Sequence, residues 1–182
     1  MHILGLDFAT KTGVAYGQAG APAARIQTET WSLPGGGGED VGAFMHALRT
    51  KLEDRLMRGI ECIVFEAPYV AQHRGNDGRM HSAPDQIRRA FGAAAICEEL
   101  AFARGIPVYE IVTVSLKKQF AGNGKAKKPD MIVAAQRRGF TVANDHEADA
   151  CGCFHHGVVS LTPQFAHVYD PLFTRLKGKV TA

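Results

Sequence analysis

The stretch GLDFATKTGVAYG, residues 5–17, holds the end of one apolar run and all of a second, with a polar turn between them. The first run, residues 3–6, has the length and composition of a buried strand and ends at Asp7. Residues 25–31 then alternate in polarity with a period of two and include β-branched side chains. Together these patterns predict an antiparallel meander of three strands at the start of the chain.

Helical periodicity begins after a glycine-rich break at residues 35–38. Apolar residues recur at helical spacing over residues 39–58 and again over residues 82–104, where Ser82 and Asp85 resemble a capping box. Both segments therefore predict amphipathic helices. The buried side of the second helix is predicted to consist of Ile87, Phe91, Ala94, Ala95 and Leu100.

The rest of the chain alternates between strand and helix patterns. The continuous apolar run at residues 62–65 predicts a central strand parallel to the first, and residues 107–112 predict another buried strand. Further helices are predicted over residues 113–120, 129–138 and 148–159. This order predicts an α/β fold with a mixed sheet and helices on its faces, in one domain over residues 1–162 followed by a tail over residues 163–182.

The composition is that of one globular domain, with 182 residues of which 46% are hydrophobic and 21% charged. No apolar run approaches the roughly 20 residues that a membrane span needs. The first residues lack the basic and apolar regions of a signal peptide. Two of the four cysteines lie inside apolar runs, as reduced core thiols do. We therefore expect a cytoplasmic protein with no membrane contact.

Three acidic residues stand at chemically informative positions. Asp7 and Glu66 each end an apolar strand, and Asp149 lies at the start of an apolar helix. If the two strands are parallel neighbours, their carboxyl ends bring Asp7 and Glu66 side by side. Each acid alone is also explained as a turn former, a helix cap or a partner of the helix dipole. Their conjunction favours a functional site.

Carboxylates that lie a few Å apart repel each other and are costly to desolvate, and a divalent cation removes that cost. Mg²⁺ and Mn²⁺ prefer oxygen ligands and keep several waters, which suits a sparse carboxylate site. Two such ions about 4 Å apart activate water and stabilise the leaving oxygen in phosphodiester hydrolysis. The acids therefore predict a metal-dependent site for phosphodiester chemistry.

A basic segment follows in the second half of the chain. Residues 115–139 contain seven basic residues against one acid, Asp130. Such a patch is an electrostatic footprint for a phosphate backbone, although a solvated lysine-rich surface gives the same pattern. The basic residues are Lys117, Lys118, Lys125, Lys127, Lys128, Arg137 and Arg138.

Four motifs resemble those of one nuclease family. Residues 5–17, with an acid at the end of a strand and glycines around the next, resemble the opening motif of RuvC-type Holliday junction resolvases. EAPY, residues 66–69, resembles the family's second catalytic acid, and KKQFAGNGKAKK, residues 117–128, is similar to its DNA-contacting stretch. EADA, residues 147–150, resembles the closing acidic motif. The motifs follow the family's order over about residues 3–160.

The resemblance implies an RNase H-like fold, a five-stranded mixed β-sheet flanked by helices on both faces. It also implies a homodimer in which each subunit makes one of two symmetric nicks in four-way DNA, with two Mg²⁺ or Mn²⁺ ions per site and no small-molecule cofactor. Asp7, Glu66 and Asp149 match the catalytic metal ligands.

The resemblance also assigns DNA contacts. Lys117 and Lys118 would lie near the scissile phosphate, and Tyr69 would stack on an unpaired base unless it is an ordinary loop aromatic. Gly122 and Gly124 would let the backbone approach a phosphate closely. The contacts along the duplex arms would be made by Lys125, Lys127 and Lys128.

The fourth ligand is where the sequence departs from many relatives, which have an acid three residues before the last aspartate. His146 occupies that position here, as histidine does in some similar resolvases. An imidazole either binds the metal, with a preference for Mn²⁺, or acts as an acid or base. We rank His146 first, Glu147 second and Asp145 third as ligands.

Other functions remain as alternatives. A YqgF-like nuclease that acts on RNA shares a similar opening motif, and a phage-type enzyme would cut a broader range of branched DNA. An actin-like or sugar-kinase ATPase would need two such domains, and a silent junction-binding module would lack the acids. CGCFHH, residues 151–156, invites a zinc site, but its four side chains do not converge from a helix.

Overall fold

The computed structural model of the protein describes residues 1–35, 40–69, 73–74, 80–81 and 84–171. Its strands are β1 His2–Asp7, β2 Lys11–Gln18, β3 Gln27–Ser32, β4 Cys62–Glu66, β5 His73–Arg74, β6 Met80–His81 and β7 Val108–Ile111. Its α-helices are α1 Val41–Leu56, α2 Pro84–Phe102, α3 Thr113–Ala121, α4 Lys128–Arg137 and α5 Asp145–Leu161. Short 3-10 helices cover Ala23–Arg25 and Pro163–Tyr169.

Five strands form a mixed sheet in the order β3-β2-β1-β4-β7, and β5 pairs with β6 in a separate two-stranded sheet. The first three strands pair antiparallel as the predicted meander. β4 is parallel to β1 and to β7, because helices α1 and α2 make the crossover connections. The predicted mixed sheet, with its central strand parallel to the first, is confirmed.

Helices cover both faces of this sheet because alternate strand residues point in opposite directions. Leu4 and Ile63 belong to one buried cluster, which also contains residues of α1 and α2. Ile3 and Val64 belong to the other cluster, which is built on α5. The α5 face is unusually close-packed, because a side chain on Gly5 would overlap the backbone of α5.

The buried side of α2 differs from the prediction. Ile87 and Phe91 are exposed, Phe91 by 55% of its surface, and Ala95 is exposed as well. The predicted helix forms, but its buried side is rotated slightly from the predicted one. Burial begins only after Gly92, so the first turns of α2 lie outside the core. The buried residues are Ala93, Ala94, Cys97, Leu100 and Ala101.

The strand predicted over residues 107–112 forms, as Val108–Ile111, but it is not buried throughout. Tyr109 and Glu110 are exposed. Within the described residues β7 pairs with β4 alone, so it is an edge strand. Its apolar composition therefore indicated a strand without indicating its place in the sheet.

Two helix starts are informative. Asp40 caps α1 by accepting a hydrogen bond from the Gly42 backbone N–H. α5 begins at Asp145, three residues before the predicted start, because the Asn144 side chain accepts a hydrogen bond from the Glu147 backbone N–H. The predicted capping residue of α2, Ser82, lies outside the described residues.

The described chain continues past the predicted domain end at residue 162. Tyr169 is fully buried, and its ring stacks on Phe140 with centroids 5.5 Å apart. Its hydroxyl donates a hydrogen bond to the Ala21 carbonyl oxygen. The segment Pro163–Tyr169 is therefore packed on the domain.

All four cysteines are buried free thiols, which agrees with the prediction for the two inside apolar runs and extends it to the others. Among the described helices, none combines the length and the apolar character that crossing a membrane requires.

Candidate active site

Three carboxylates from separate elements converge at one end of the sheet. Leu6 pairs with Phe65 in the parallel β1–β4 ladder, so the residues that follow, Asp7 and Glu66, lie side by side. Both lie on the α5 face, two residues after Gly5 and Val64 respectively. Asp149 lies in the second turn of α5, which packs on this face.

The three charges influence one another strongly. Burial raises the pKa of Asp149 to about 7, and the charges of Asp7 and Glu66 add to that shift. Burial also raises the pKa of Glu66, and the Asp7 charge contributes to it. The Asp149 Oδ1 atom is buried without a hydrogen-bond partner. The fold therefore holds negative charge here that its own hydrogen bonds do not neutralise.

Thr113, the first residue of α3, belongs to the site although none of the sequence motifs includes it. Its hydroxyl donates a 2.6 Å hydrogen bond to Glu66 Oε1, which opposes the rise in the Glu66 pKa. A signal was present, because Thr113 lies two residues after Ile111, which pairs with Glu66 across β4 and β7. A hydroxyl side chain two residues beyond the residue that pairs with Glu66 is in position to donate a hydrogen bond to its carboxylate.

His146, the first-ranked candidate for the fourth ligand, contacts the carboxylate cluster directly. Its Nδ1 atom lies 3.5 Å from Asp7 Oδ2, and this contact is the main cause of a raised His146 pKa. His146 and Asp149 are three residues apart on α5, so they share one side of the helix. The pair therefore reaches the sheet end from the same helix face.

The two alternatives to His146 are held in other contacts. Glu147 is buried and accepts hydrogen bonds from the Thr30 hydroxyl at 3.0 Å and the Ala143 backbone N–H at 2.8 Å. Asp145 forms a 2.5 Å ion pair with Lys128, and this contact lowers the Asp145 pKa. Glu147 thus ties α5 to β3, whereas Asp145 ties α5 to α4.

The basic residues divide into two groups. Lys117 lies near enough to Glu66 and Asp149 to oppose the rise in the pKa of both. The Lys128 pKa is raised mainly by the contact with Asp145, and the charges of Asp149 and Asp7 add to the rise. Lys117 and Lys128 therefore border the carboxylate cluster.

The remaining predicted lysine contacts lie in other surroundings. Lys118 lines a different groove, next to Glu110 and His156. Lys125 and Lys127 are exposed in the connection between α3 and α4.

Both predicted glycines shape that connection. Gly122 ends α3 with a φ of 79°, a left-handed conformation that favours glycine. A Cβ on Gly124 would lie 2.8 Å from the Val114 side chain. The loop therefore requires glycine at these positions for its own geometry, whatever else it contacts.

Tyr69 stands beside the carboxylates. It is 75% exposed and, with Asp7 and Glu66, lines a cavity of about 190 Å³. An exposed aromatic ring next to half-buried acids is suited to contact a ligand that reaches them.

The donor set fits a hard divalent cation. Carboxylate oxygens are the ligands that Mg²⁺ and Mn²⁺ prefer, and the unpartnered Asp149 oxygen is a free ligand position. Within the described residues, no three acidic, histidine or cysteine side chains already stand close enough to hold one ion. The side chains are therefore neighbours that must turn toward a common ion.

Comparison with known proteins supports the fold. No family model matches the chain, and no curated protein has a significantly similar sequence. The structure of Thermus thermophilus RuvC is similar over 97% of both chains, with 16% identity and a TM-score of 0.60. The chain has the RuvC fold. The predicted RNase H-like architecture is thereby confirmed.

Two further structures share the RuvC fold. One is T. thermophilus RuvC in complex with a Holliday junction substrate, with 16% identity, a TM-score of 0.61 and coverage of 89% of this chain and 96% of that one. The other is the yeast mitochondrial Holliday junction resolvase Ydc2, with 15% identity, a TM-score of 0.52 and coverage of 97% of this chain and 80% of that one.

Proposed function

We propose that this chain is a metal-dependent DNA endonuclease that resolves four-way junctions by paired symmetric nicks. The observation that carries the proposal is the convergence of Asp7, Glu66 and Asp149 at one end of the sheet, with a buried Asp149 oxygen that has no partner. The similarity in fold to RuvC, one structure of which is a complex with a Holliday junction substrate, favours four-way DNA as the substrate.

Asp7, Glu66 and Asp149 would hold two Mg²⁺ or Mn²⁺ ions, with His146 as the fourth ligand. When bound, such ions lower the pKa of a coordinated water and stabilise the leaving oxygen of the phosphodiester. Thr113 fixes the orientation of the Glu66 carboxylate. Where His146 does not bind a metal, its position beside Asp7 allows it to hold a proton at Nδ1.

The bordering lysines bring DNA to this cluster. Lys117 and Lys128 place positive charge beside the carboxylates, which attracts a phosphate to a site that would otherwise repel it. Tyr69 offers an aromatic ring for stacking at the junction. We assign contacts with the duplex arms to Lys118, Gly122, Gly124, Lys125 and Lys127.

Two nicks in one junction require two sites, and one carboxylate cluster of this kind is present in the described part of the chain. We therefore propose a homodimer. The buried free thiols fit the reducing cytoplasm, where chromosomal or phage DNA is available.

A cleavage assay tests the function on a four-way junction, a fork, a flap, a linear duplex, an RNA–DNA hybrid and a single strand, each with Mg²⁺, Mn²⁺ or EDTA. We expect paired nicks in the junction alone, with either metal and not with EDTA. Preferential cutting of RNA would identify the YqgF-like alternative, and equal cutting of forks and flaps would identify the phage-type alternative. No cutting of any substrate would overturn the nuclease proposal.

The Asp7→Asn variant tests the catalytic assignment. We expect cutting to fall by at least about 100-fold, because a metal ligand and its charge are lost, while junction affinity is retained or increased. Asp54→Asn is the matched control, since Asp54 is an exposed acid on α1 that pairs with Arg58. Normal cutting by the Asp7 variant would show that the cluster is not the active site.

A further inference from the structure

The carboxylate cavity adjoins a second cavity of about 310 Å³. Phe8, Tyr69 and Ala90 line both. The first cavity ends at Asp7 and Glu66, whereas the second extends toward α2. The two form one depression with acids at one end.

The lining of the second cavity is chemically distinct. Phe8 and Phe44 supply apolar walls, and the lining from α2 includes Gln86 and Arg89, whose side chains carry hydrogen-bond donors. Its described lining includes no acidic residue, in contrast to the neighbouring cavity. An aromatic pocket with one cation and one amide suits a flat, uncharged group that carries hydrogen-bond acceptors.

We propose that this second cavity binds one purine base next to the scissile phosphate and that Gln86 and Arg89 read its N7 edge. The inference rests on the proposed nuclease function and adds to it a preference for a purine beside the nick. Arginine pairs with guanine through O6 and N7, and glutamine pairs with adenine through N6 and N7, so N7 is the acceptor that both purines share.

The dimensions agree with one base. A volume of about 310 Å³ is small for a ligand pocket and takes a base rather than a larger group. Since a base and its own phosphate are neighbours along the strand, adjoining cavities place the phosphate at the carboxylates when the base is in the aromatic pocket.

Stacking surfaces are available on two sides. Phe8 packs against the buried Phe65 ring with centroids 5.4 Å apart, so its position is fixed by the core. Tyr69 is exposed and stands at the shared wall of the two cavities. Base stacking on such rings tolerates any base, so selectivity falls to the donors on α2.

The test replaces single purines by their 7-deaza analogues, which lack N7, at each nucleotide that flanks the nick in a four-way junction. We expect a roughly tenfold loss of cutting at one flanking position. We also expect a matching loss of junction affinity in EDTA, where no cutting occurs. A 7-deazapurine three base pairs into an arm is the control substrate.

The protein variants are Gln86→Leu and Arg89→Met, each measured on both substrates. We expect one or both variants to cut the natural and the 7-deaza junctions equally, because the reading donor is gone. Arg88→Met is the matched control, since Arg88 is an exposed neighbour that contacts Asp85 and does not line the cavity. That control should keep the full 7-deaza penalty.

The outcomes separate this inference from the nuclease proposal. A junction that is cut with no penalty at either flanking position overturns the base pocket and leaves the nuclease standing. A penalty that survives in both α2 variants also overturns the pocket, because N7 is then read elsewhere. Absence of junction cutting and binding altogether overturns both proposals.

Discussion

The two faces of the sheet are built on different principles. On one face, α1 packs against the sheet through large, fully buried side chains such as Phe44, Leu48 and Leu52. On the other face, α5 lies directly against Gly5 and Gly13. α5 also brings ionisable groups into the interior, among them Asp149 and His155.

This difference separates stability from function. The α1 and α2 face is an apolar core whose burial stabilises the fold. The α5 face gives up some of that stabilisation, because buried charged or unpartnered groups oppose folding. It gains a rigid helix that presents Asp149 beside the strand ends.

Gly5→Ala tests how closely α5 must approach the sheet and has the largest expected effect on stability. The new methyl group would overlap the Ala150 carbonyl oxygen and the Phe154 backbone nitrogen, which have no room to move. We expect the free energy of unfolding to fall by about 3 kcal/mol in urea denaturation.

Gly92→Ala is the matched variant on the opposite face. Its methyl group would meet only the flexible end of Met45, and alanine favours the helix, so the stability should change by less than about 1 kcal/mol. Equal losses in the two glycine variants would contradict the contrast between the faces.

Asp149→Asn should stabilise the metal-free protein. The folded-state pKa of Asp149 is raised from 3.8 to about 7, so the unfolded chain gives up this proton more readily. Ionised Asp149 therefore lowers the free energy of unfolding. This loss of stability begins as the pH rises past about 3.8 and is complete above about 7. At pH 8 in EDTA we expect the variant to be more stable by on the order of 3 kcal/mol.

Addition of Mn²⁺ gives a second comparison of the stability of the natural chain and the Asp149 variant. Mn²⁺ should raise the melting temperature of the natural chain at pH 8 by relieving the repulsion among its carboxylates, and it should raise that of the Asp149 variant much less. A variant that is less stable than the natural chain in EDTA would contradict the account of the buried charge.

His155→Phe should reduce the loss of stability in acid. Burial, assisted by the Arg138 charge, lowers the pKa of His155 from 6.5 to about 3. Between those values the unfolded chain binds a proton that the folded chain does not, so stability falls as the pH drops below about 6.5. We expect the natural chain to lose about 2 kcal/mol more than the variant between pH 7.5 and 5. If the free energy of unfolding changes with pH in the same way in both proteins, His155 does not cause the loss of stability in acid.

Thr113→Val tests the smallest effect, the orientation of Glu66. Loss of the 2.6 Å hydrogen bond should reduce junction cutting by about tenfold and raise the Mn²⁺ concentration needed for half-maximal rate. Thr113→Ser keeps the hydroxyl and should restore both values. A serine variant as impaired as the valine variant would indicate a packing role alone.

The sequence was sufficient for the sheet and for the neighbourhood of the carboxylates. Strand length and polarity predicted the meander, and the positions of Asp7 and Glu66 after parallel strands placed them together because strand ends meet at one edge. These features follow from local patterns and from the geometry of a parallel pair.

What the sequence did not predict depends on contacts between distant elements. Helical spacing in α2 predicted an apolar side, but only tertiary packing decides that Phe91 is exposed while Cys97 is buried. Likewise, Glu147 is turned toward Thr30 by contacts with β3, which spacing along α5 does not reveal. The Thr113 hydroxyl required knowledge of strand order.

The buried Tyr169 closes the molecule on the side away from the carboxylates. Its ring packs against Phe140 and Phe154, and its hydroxyl donates a hydrogen bond to the Ala21 carbonyl oxygen in the turn that follows β2. A chain shortened at residue 162, the predicted end of the domain, would lose Tyr169 and expose the rings of Phe140 and Phe154 to solvent. The segment Pro163–Tyr169 therefore ties the chain that follows α5 to the turn after β2, and shortened forms of the protein should keep it.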